Sequence, residues 1–180
     1  MRIISGKYGG RKILTPSQMP FTRPTTDFAK EGLFNILQNR VALEDIKTLD
    51  LFGGTGSISL ELASRGAASL DIVEKDNHMI ASIKKNIENL GIENMHIYKM
   101  GVFEFLENAT DKYDIIFAGP PYALKEIDLL PEKILQKKIL TTGGLFILEH
   151  TPRNDYANFP TFSFQRNYGT TIFSFFEAPE

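Results

Sequence analysis

The chain has 180 residues, 42% of them hydrophobic and 23% charged, which fits one domain of ordinary size and excludes a disordered, collagen-like or low-complexity protein. It has no cysteine, so disulfides, thiolate-bound zinc and a cysteine nucleophile are excluded. No apolar run approaches the ~20 residues that span a bilayer, and the opening MRIISGKYGGRK has no apolar signal core, so a soluble cytoplasmic protein is expected.

The net charge is -2, but it is unevenly spread. Residues 1–26 carry Arg2, Lys7, Arg11, Lys12 and Arg23 and no acid; the other 15 basic and 22 acidic residues leave -7. A basic arm on an acidic body suggests a polyanionic partner. Gly6, Gly9 and Gly10 suggest tight turns between short extended pieces of that arm. A helix is expected from Thr26 or Asp27 to Leu37, with Ala29, Leu33, Ile36 and Leu37 on one face.

From there the pattern alternates. Strands are expected at Lys47–Phe52, Ser69–Glu74, Met95–Lys99, Tyr113–Ala118 and Gly144–Glu149. Between them lie helical runs at Ser57–Arg65, Asp76–Leu90, Val102–Asn108 and Leu124–Lys138, the last kinked or divided by Pro131. Aromatic-rich runs near Thr161–Arg166 and Thr170–Glu177 read as an antiparallel pair, with Asn167 and Gly169 supplying the turn. This βαβ spacing predicts a mostly parallel sheet covered on both faces. In such sheets ligands bind beyond the carboxyl ends of the strands, so the residues just after each strand carry the functional argument.

Asp50-Leu51-Phe52-Gly53-Gly54-Thr55-Gly56 follows the first strand, and glycines there let the backbone approach a ligand and leave helix N–H groups free. Glu74 stands 18 residues beyond Gly56, where a carboxylate can accept both hydroxyls of a ribose. Together they suggest an adenosine-containing cofactor. A dinucleotide is the rival, but Ser59 stands where its fingerprint needs a third glycine. A plain glycine turn is the structural alternative. After the fourth strand, Gly119-Pro120-Pro121-Tyr122 removes two backbone donors and places carbonyls beside an aromatic ring. That arrangement can grip an amino group and stack a base, or it can merely end a strand. His78, His96 and His150 lack metal spacing and read as solvated or hydrogen-bonded, so no metal is expected. Phe162, Phe164, Phe173, Phe175 and Phe176 read mainly as core; Lys84-Lys85 and Lys137-Lys138 read as solvated helix faces.

These residues resemble the class I S-adenosylmethionine-dependent methyltransferases, and within them the RsmD-like small-subunit ribosomal RNA guanine-N2 methyltransferases. MRIISGKYGGRKI is similar to the family's opening, and Arg23-Pro24-Thr25-Thr26 before Glu31-Gly32-Leu33-Phe34-Asn35-Ile36-Leu37 to its RPT-then-helix signature. DLFGGTG resembles motif I, Glu74 the ribose acid, GPPY the family's DPPY, and Arg166-Asn167-Tyr168-Gly169 the approach to its last strand. The resemblance implies a Rossmann-like α/β fold with a mostly parallel seven-stranded sheet, an antiparallel C-terminal pair and a basic N-terminal arm. It implies a methyltransferase domain over residues 27–180 and an RNA-contacting arm over 1–26. S-adenosylmethionine would be the cofactor and S-adenosylhomocysteine its product. Cofactor contacts would come from Asp50, Phe52, Gly53, Gly54, Thr55 and Gly56, from Glu74 and Lys75, and from Gly101 and Val102. Gly119, Pro120, Pro121 and Tyr122 would hold the target base, and Arg2, Lys7, Arg11, Lys12, Arg23 and Thr25 would contact RNA. The partner would be ribosomal RNA or a small-subunit assembly intermediate; the oligomeric state is not readable from the sequence, with a monomer favoured.

Two positions depart from the family. Gly119 replaces the aspartate that accepts a hydrogen bond from the target amine, and Gly101 stands where an aspartate contacts the adenine. Pro120 would be left as the amine's acceptor, so slow or undetectable transfer is expected, with Gly119→Asp restoring rate unless the backbone there has φ > 0. A DNA adenine-N6 methyltransferase uses a similar four-residue motif, and a binding-only relative without turnover is the reading from another class. A nicotinamide-dependent oxidoreductase is disfavoured by the glycine pattern and by GPPY.

Overall fold

The computed structural model describes residues 1–19 and 24–179. Arg23 lies outside the described residues. Five helices and seven strands follow in chain order: α1 (Asp27–Arg40), β1 (Lys47–Leu51), α2 (Ser57–Ser64), β2 (Ser69–Val73), α3 (Asn77–Leu90), β3 (Met95–Tyr98), α4 (Val102–Asn108), β4 (Tyr113–Ala118), α5 (Leu129–Lys137), β5 (Leu140–His150), β6 (Phe162–Tyr168) and β7 (Thr171–Glu177). They form one seven-stranded sheet in the order β3-β2-β1-β4-β5-β7-β6. Pairs from β3 to β5 are parallel, and β7 pairs antiparallel with both β5 and β6. The predicted Rossmann-like sheet with its antiparallel C-terminal pair is therefore the observed one.

Alternation along the strands divides the core. Leu70, Ile72, Ile115, Phe117, Leu145, Ile147, Phe173 and Phe175 face the side covered by α1, α2 and α3. Leu49, Leu51, Val73, Ile116, Phe146, Leu148 and Phe176 face the side covered by α4 and α5. Both faces are thus dry, as a parallel sheet with helical crossovers requires.

Most boundaries follow local chemistry. Thr26 caps α1 by accepting from the Ala29 N–H at 3.1 Å, and Asp76 caps α3 by accepting from the Met79 N–H at 3.0 Å. Gly91 ends α3 at φ 69°, the usual left-handed stop. Several expectations are corrected. α1 runs three residues past Leu37 to Arg40. β1 ends at Leu51 because Phe52 turns away at φ 61°, and β2 ends at Val73, leaving Glu74 outside. α5 begins at Leu129 rather than Leu124, which puts Pro131 in its first turn, where no intrahelical N–H is needed, so it neither kinks nor divides the helix. β5 begins at Leu140, and Asn167 belongs to β6; the turn is Gly169-Thr170, with Gly169 at φ 66°.

The basic arm folds onto the body. Ile3 and Arg11 pair through their backbones (Ile3 N–H to Arg11 oxygen, 2.9 Å), and an isolated antiparallel bridge joins Arg2 to Lys12. Ile3 and Ile13 enter the core beneath α1, α2 and α3. A buried ion pair fixes this hairpin. Lys30 of α1 and Glu61 of α2 are both fully buried, with Nζ 3.2 Å from Oε1. Lys30 also donates to the Arg2 carbonyl at 2.9 Å and to Ser57 Oγ at 3.0 Å. Glu61 accepts from the N–H groups of Ile4 and Ser5 and from Arg65 Nε. Burial lowers the Lys30 pKa while Glu61 opposes that shift. Removing one partner strands the other in a dry place, which typically costs ~3–5 kcal/mol. Lys30→Met should therefore lose about 3 kcal/mol in urea unfolding and expose residues 2–13 to hydrogen exchange. Unchanged stability would show that the hairpin holds without the pair.

Candidate active site

The register aligns the carboxyl ends of the central strands: the residue just beyond β1, β2 and β4, and the last residue but one of β5. Leu51 pairs with Val73 and with Ala118, and Ala118 pairs with Leu148. Phe52, Glu74, Gly119 and Glu149 therefore form a row along the carboxyl edge of the sheet. This edge lies where the winding reverses between β1 and β4, the place that opens a crevice in such sheets.

The loop after β1 is shaped for close approach. Phe52 takes a left-handed backbone, a cost of about 1–3 kcal/mol for a side chain of its size. Gly53 donates to the Val73 carbonyl at 2.9 Å, and a Cβ there would stand 2.3 Å from Ile72 Cγ2. Gly56 opens α2 at φ 77°. Glu74 locks this loop to the next: its Oε1 accepts from the Gly54 N–H at 2.9 Å and its Oε2 from the Asp76 N–H at 2.8 Å. A carboxylate offers about four acceptor positions, so each oxygen keeps one for a ligand donor. Lys75 is exposed beside it. Thr55 Oγ1 lies 3.7 Å from Met1 Sδ, which brings the arm's first residue to this loop.

Asp50 is buried beneath the loop, where the Ser59 hydroxyl donates to it at 2.7 Å. Ser59 occupies the place of the missing third glycine, and its hydroxyl gives a physical reason for that departure. Desolvation is the main cause that pushes the Asp50 pKa up to about 7; Ser59 opposes the shift and the Glu74 charge adds to it. Gly101 caps α4 in extended backbone, at φ -70°, and a Cβ there meets nothing within 4 Å. Val102 opens α4 and is buried. The Gly53–Gly56 loop and Glu74 present backbone and carboxylate acceptors at this edge, and Gly101 leaves open space at the start of α4.

On the other side of the row, Glu149 is 3% exposed and joins two segments. Thr25 Oγ1 donates to its Oε1 at 2.5 Å and the Tyr122 hydroxyl to its Oε2 at 2.9 Å. Burial raises the Glu149 pKa, against the pull of those two hydrogen bonds. Thr25 is thus placed beside the GPPY loop, with its hydroxyl engaged by Glu149. Gly119 is absent from the left-handed glycines, so its backbone admits an aspartate; the obstacle is the Phe117 ring, whose Cε1 would lie 3.1 Å from the new Cβ. Pro120 is buried, and Pro121 and Tyr122 are half-buried. Arg2, Lys7, Arg11 and Lys12 are all exposed on the hairpin.

Sequence reasoning missed Glu149, Ser59 and Phe28. Glu149 was legible by the same rule that found Glu74, as the acid closing the apolar run GLFILE, but it was absorbed into the strand. Phe28, in the first turn of α1, is 69% exposed and meets Tyr168 edge-to-face at 5.5 Å. It opens a groove of about 610 Å³ between α1 and β6, lined also by Glu31, Asn35, Asn39, Arg40, Arg166 and Tyr168. His150 is hydrogen-bonded as expected: Nδ1 donates to the Thr151 carbonyl at 2.8 Å, so Nε2 accepts from Ser174 Oγ at 2.7 Å. Among the described residues there is no group of three metal-ligating side chains and no helix long and apolar enough to cross a membrane.

Asp50 makes stability depend on pH. Below its unfolded value of 3.8 both states hold the proton; between there and about pH 7 only the folded state does. Stability therefore falls as pH rises through this window, by on the order of 3–4 kcal/mol at most. Asp50→Asn keeps an acceptor for Ser59 and removes the effect. Its melting-temperature advantage should be absent near pH 4, grow with pH and level off above 7. A constant difference across that range would show that Asp50 ionises normally.

Known proteins share this fold. The family described as conserved hypothetical protein 95 matches residues 1–177. A Buchnera aphidicola ribosomal RNA small subunit methyltransferase D is 38% identical over 141 residues, 76% of this chain and 72% of that protein. The Escherichia coli protein of the same name is 35% identical over 68% of this chain, which spans 60% of that protein. A Thermus thermophilus hypothetical protein superposes with a TM-score of 0.86 at 28% identity, over 99% of both chains. A Thermus thermophilus 16S rRNA N2 G1207 methyltransferase, solved with AdoMet and guanosine, gives a TM-score of 0.69 at 25% identity over 88% of this chain and 45% of that one. The chain belongs to the conserved hypothetical protein 95 family, the RsmD-like class I S-adenosylmethionine-dependent methyltransferases.

Proposed function

We propose that this chain methylates N2 of a guanine in small-subunit ribosomal RNA. The observation that carries the reading is the single row of strand-end residues, which sets the glycine loop and Glu74 beside Gly119-Pro120-Pro121-Tyr122. S-adenosylmethionine supplies an electrophilic methyl group on sulfonium sulfur. The chain's residues bind and orient.

Glu74 accepts the ribose hydroxyls, and the backbone at Gly53, Gly54, Thr55 and Gly56 borders the aminoacyl part, with Asp50 and Phe52 below it. Lys75, Gly101 and Val102 border the adenosine. The Pro120 carbonyl accepts from the target amine, and the Tyr122 ring stacks on a base turned out of its helix. An aromatic amine needs positioning more than a strong base, so aligned acceptors account for most of the rate. RNA is the favoured polymer on two grounds. The exposed cations Arg2, Lys7, Arg11 and Lys12 suit phosphates. The groove from Phe28 and Tyr168 to Arg40 and Arg166 offers an aromatic face and two guanidinium groups to a single strand at the rim of the site. The name of the Buchnera relative and the guanosine complex of the Thermus one support the same substrate. The partner is then ribosomal RNA, free or in a small-subunit assembly intermediate.

The test is transfer of tritiated methyl groups to ribosomal RNA from cells lacking this gene, followed by nucleoside analysis. N2-methylguanosine in small-subunit RNA is expected. N6-methyladenosine, or label confined to DNA offered in parallel, would overturn the assignment.

A further inference from the structure

The Gly119 position lacks a side-chain acceptor, yet a carboxylate stands within its reach. A Cβ built on Gly119 lies 3.9 Å from Glu149 Oε1, on the same face of the sheet as Phe117. Glu149 arrives from the neighbouring strand, β5, through the Ala118–Leu148 register. Its two oxygens take one hydrogen bond each, from Thr25 and from Tyr122. About two acceptor positions remain. The donors on it are hydroxyls of the two segments that frame the base site, the end of the arm and the GPPY loop. A side chain 3% exposed and held from both sides is positioned in advance, as an acceptor for a substrate group should be.

We propose that Glu149 is a catalytic residue of this chain: its carboxylate accepts the hydrogen bond from the target amine that an aspartate at position 119 would otherwise accept. The acceptor has moved from β4 to β5, and Pro120 remains the second one. The role is acceptance of a hydrogen bond and includes no proton transfer. The inference rests on the reading of the site as one for base methylation. It also removes the reason to expect a nearly inactive chain.

The experiment is single-turnover methyl transfer to small-subunit RNA by the unaltered chain, Glu149→Gln, Gly119→Asp and the double variant, with cofactor affinity and melting temperature measured on each. Glutamine keeps the size and one oxygen, so the fold and the cofactor affinity are expected to hold. The unaltered chain should transfer measurably, Glu149→Gln should be on the order of 100-fold slower, and Gly119→Asp added to it should recover most of the loss. A residue that only braces Thr25 and Tyr122 would show no such rescue. A Glu149→Gln rate within about threefold of the unaltered chain, or a double variant as slow as Glu149→Gln, overturns the proposal. Transfer by Gly119→Asp alone, with none by the unaltered chain, overturns it while leaving the methyltransferase reading in place. Transfer by none of the four removes both.

Discussion

Parallel strands that wind outwards in two directions from a central pair must leave a gap between the crossovers, and here that pair is β1 and β4. The helices after β1 and β2 pack on one face, whereas α4 and α5 pack on the other. Every strand-end residue of the central pairs therefore opens into the same crevice. The site is a consequence of this winding, because no single loop could bring Glu74, Gly53, Gly119 and Glu149 into one row.

Two kinds of interaction then hold the rim of the crevice in shape. Carboxylates close it locally: Glu74 ties the loop after β1 to the start of α3, and Glu149 ties the arm's last residues to GPPY. Lys30 and Glu61 act beneath it, joining α1, α2 and the N-terminal hairpin through fully buried charge. Such a pair adds little net stability over an apolar core, and it fixes which partners meet. The placement of the cationic hairpin against α1 and α2 depends on it.

Much of this was legible in the sequence. Alternating apolar runs and caps located all twelve elements, and the search after each strand found the glycine loop, Glu74 and GPPY. Boundaries slipped where a residue's local preference was overridden. Phe52 leaves the sheet although it is a good strand former, and Pro131 sits harmlessly in a first turn because the helix starts later than its apolar pattern. Glu149 closes its apolar run much as Glu74 does, but its place beside Gly119 comes from the β4–β5 register, which one sequence does not display. Lys30 and Glu61 stand 31 positions apart with nothing in the sequence linking them; only the packing of α1 against α2 makes them a buried pair. Gly119 read alone suggested a damaged site, while its neighbour in space supplies the missing kind of group.

If the row at the β1–β4 switch point is the cofactor and base site, residue-resolved hydrogen exchange of the chain with and without S-adenosylmethionine should show it. Added protection is expected at the amides of Gly54 to Ser57, at Lys75 and Asp76, and at Val102, with little change along β6 and β7. Protection confined to the groove between α1 and β6, or no protection anywhere in the row, would contradict that assignment.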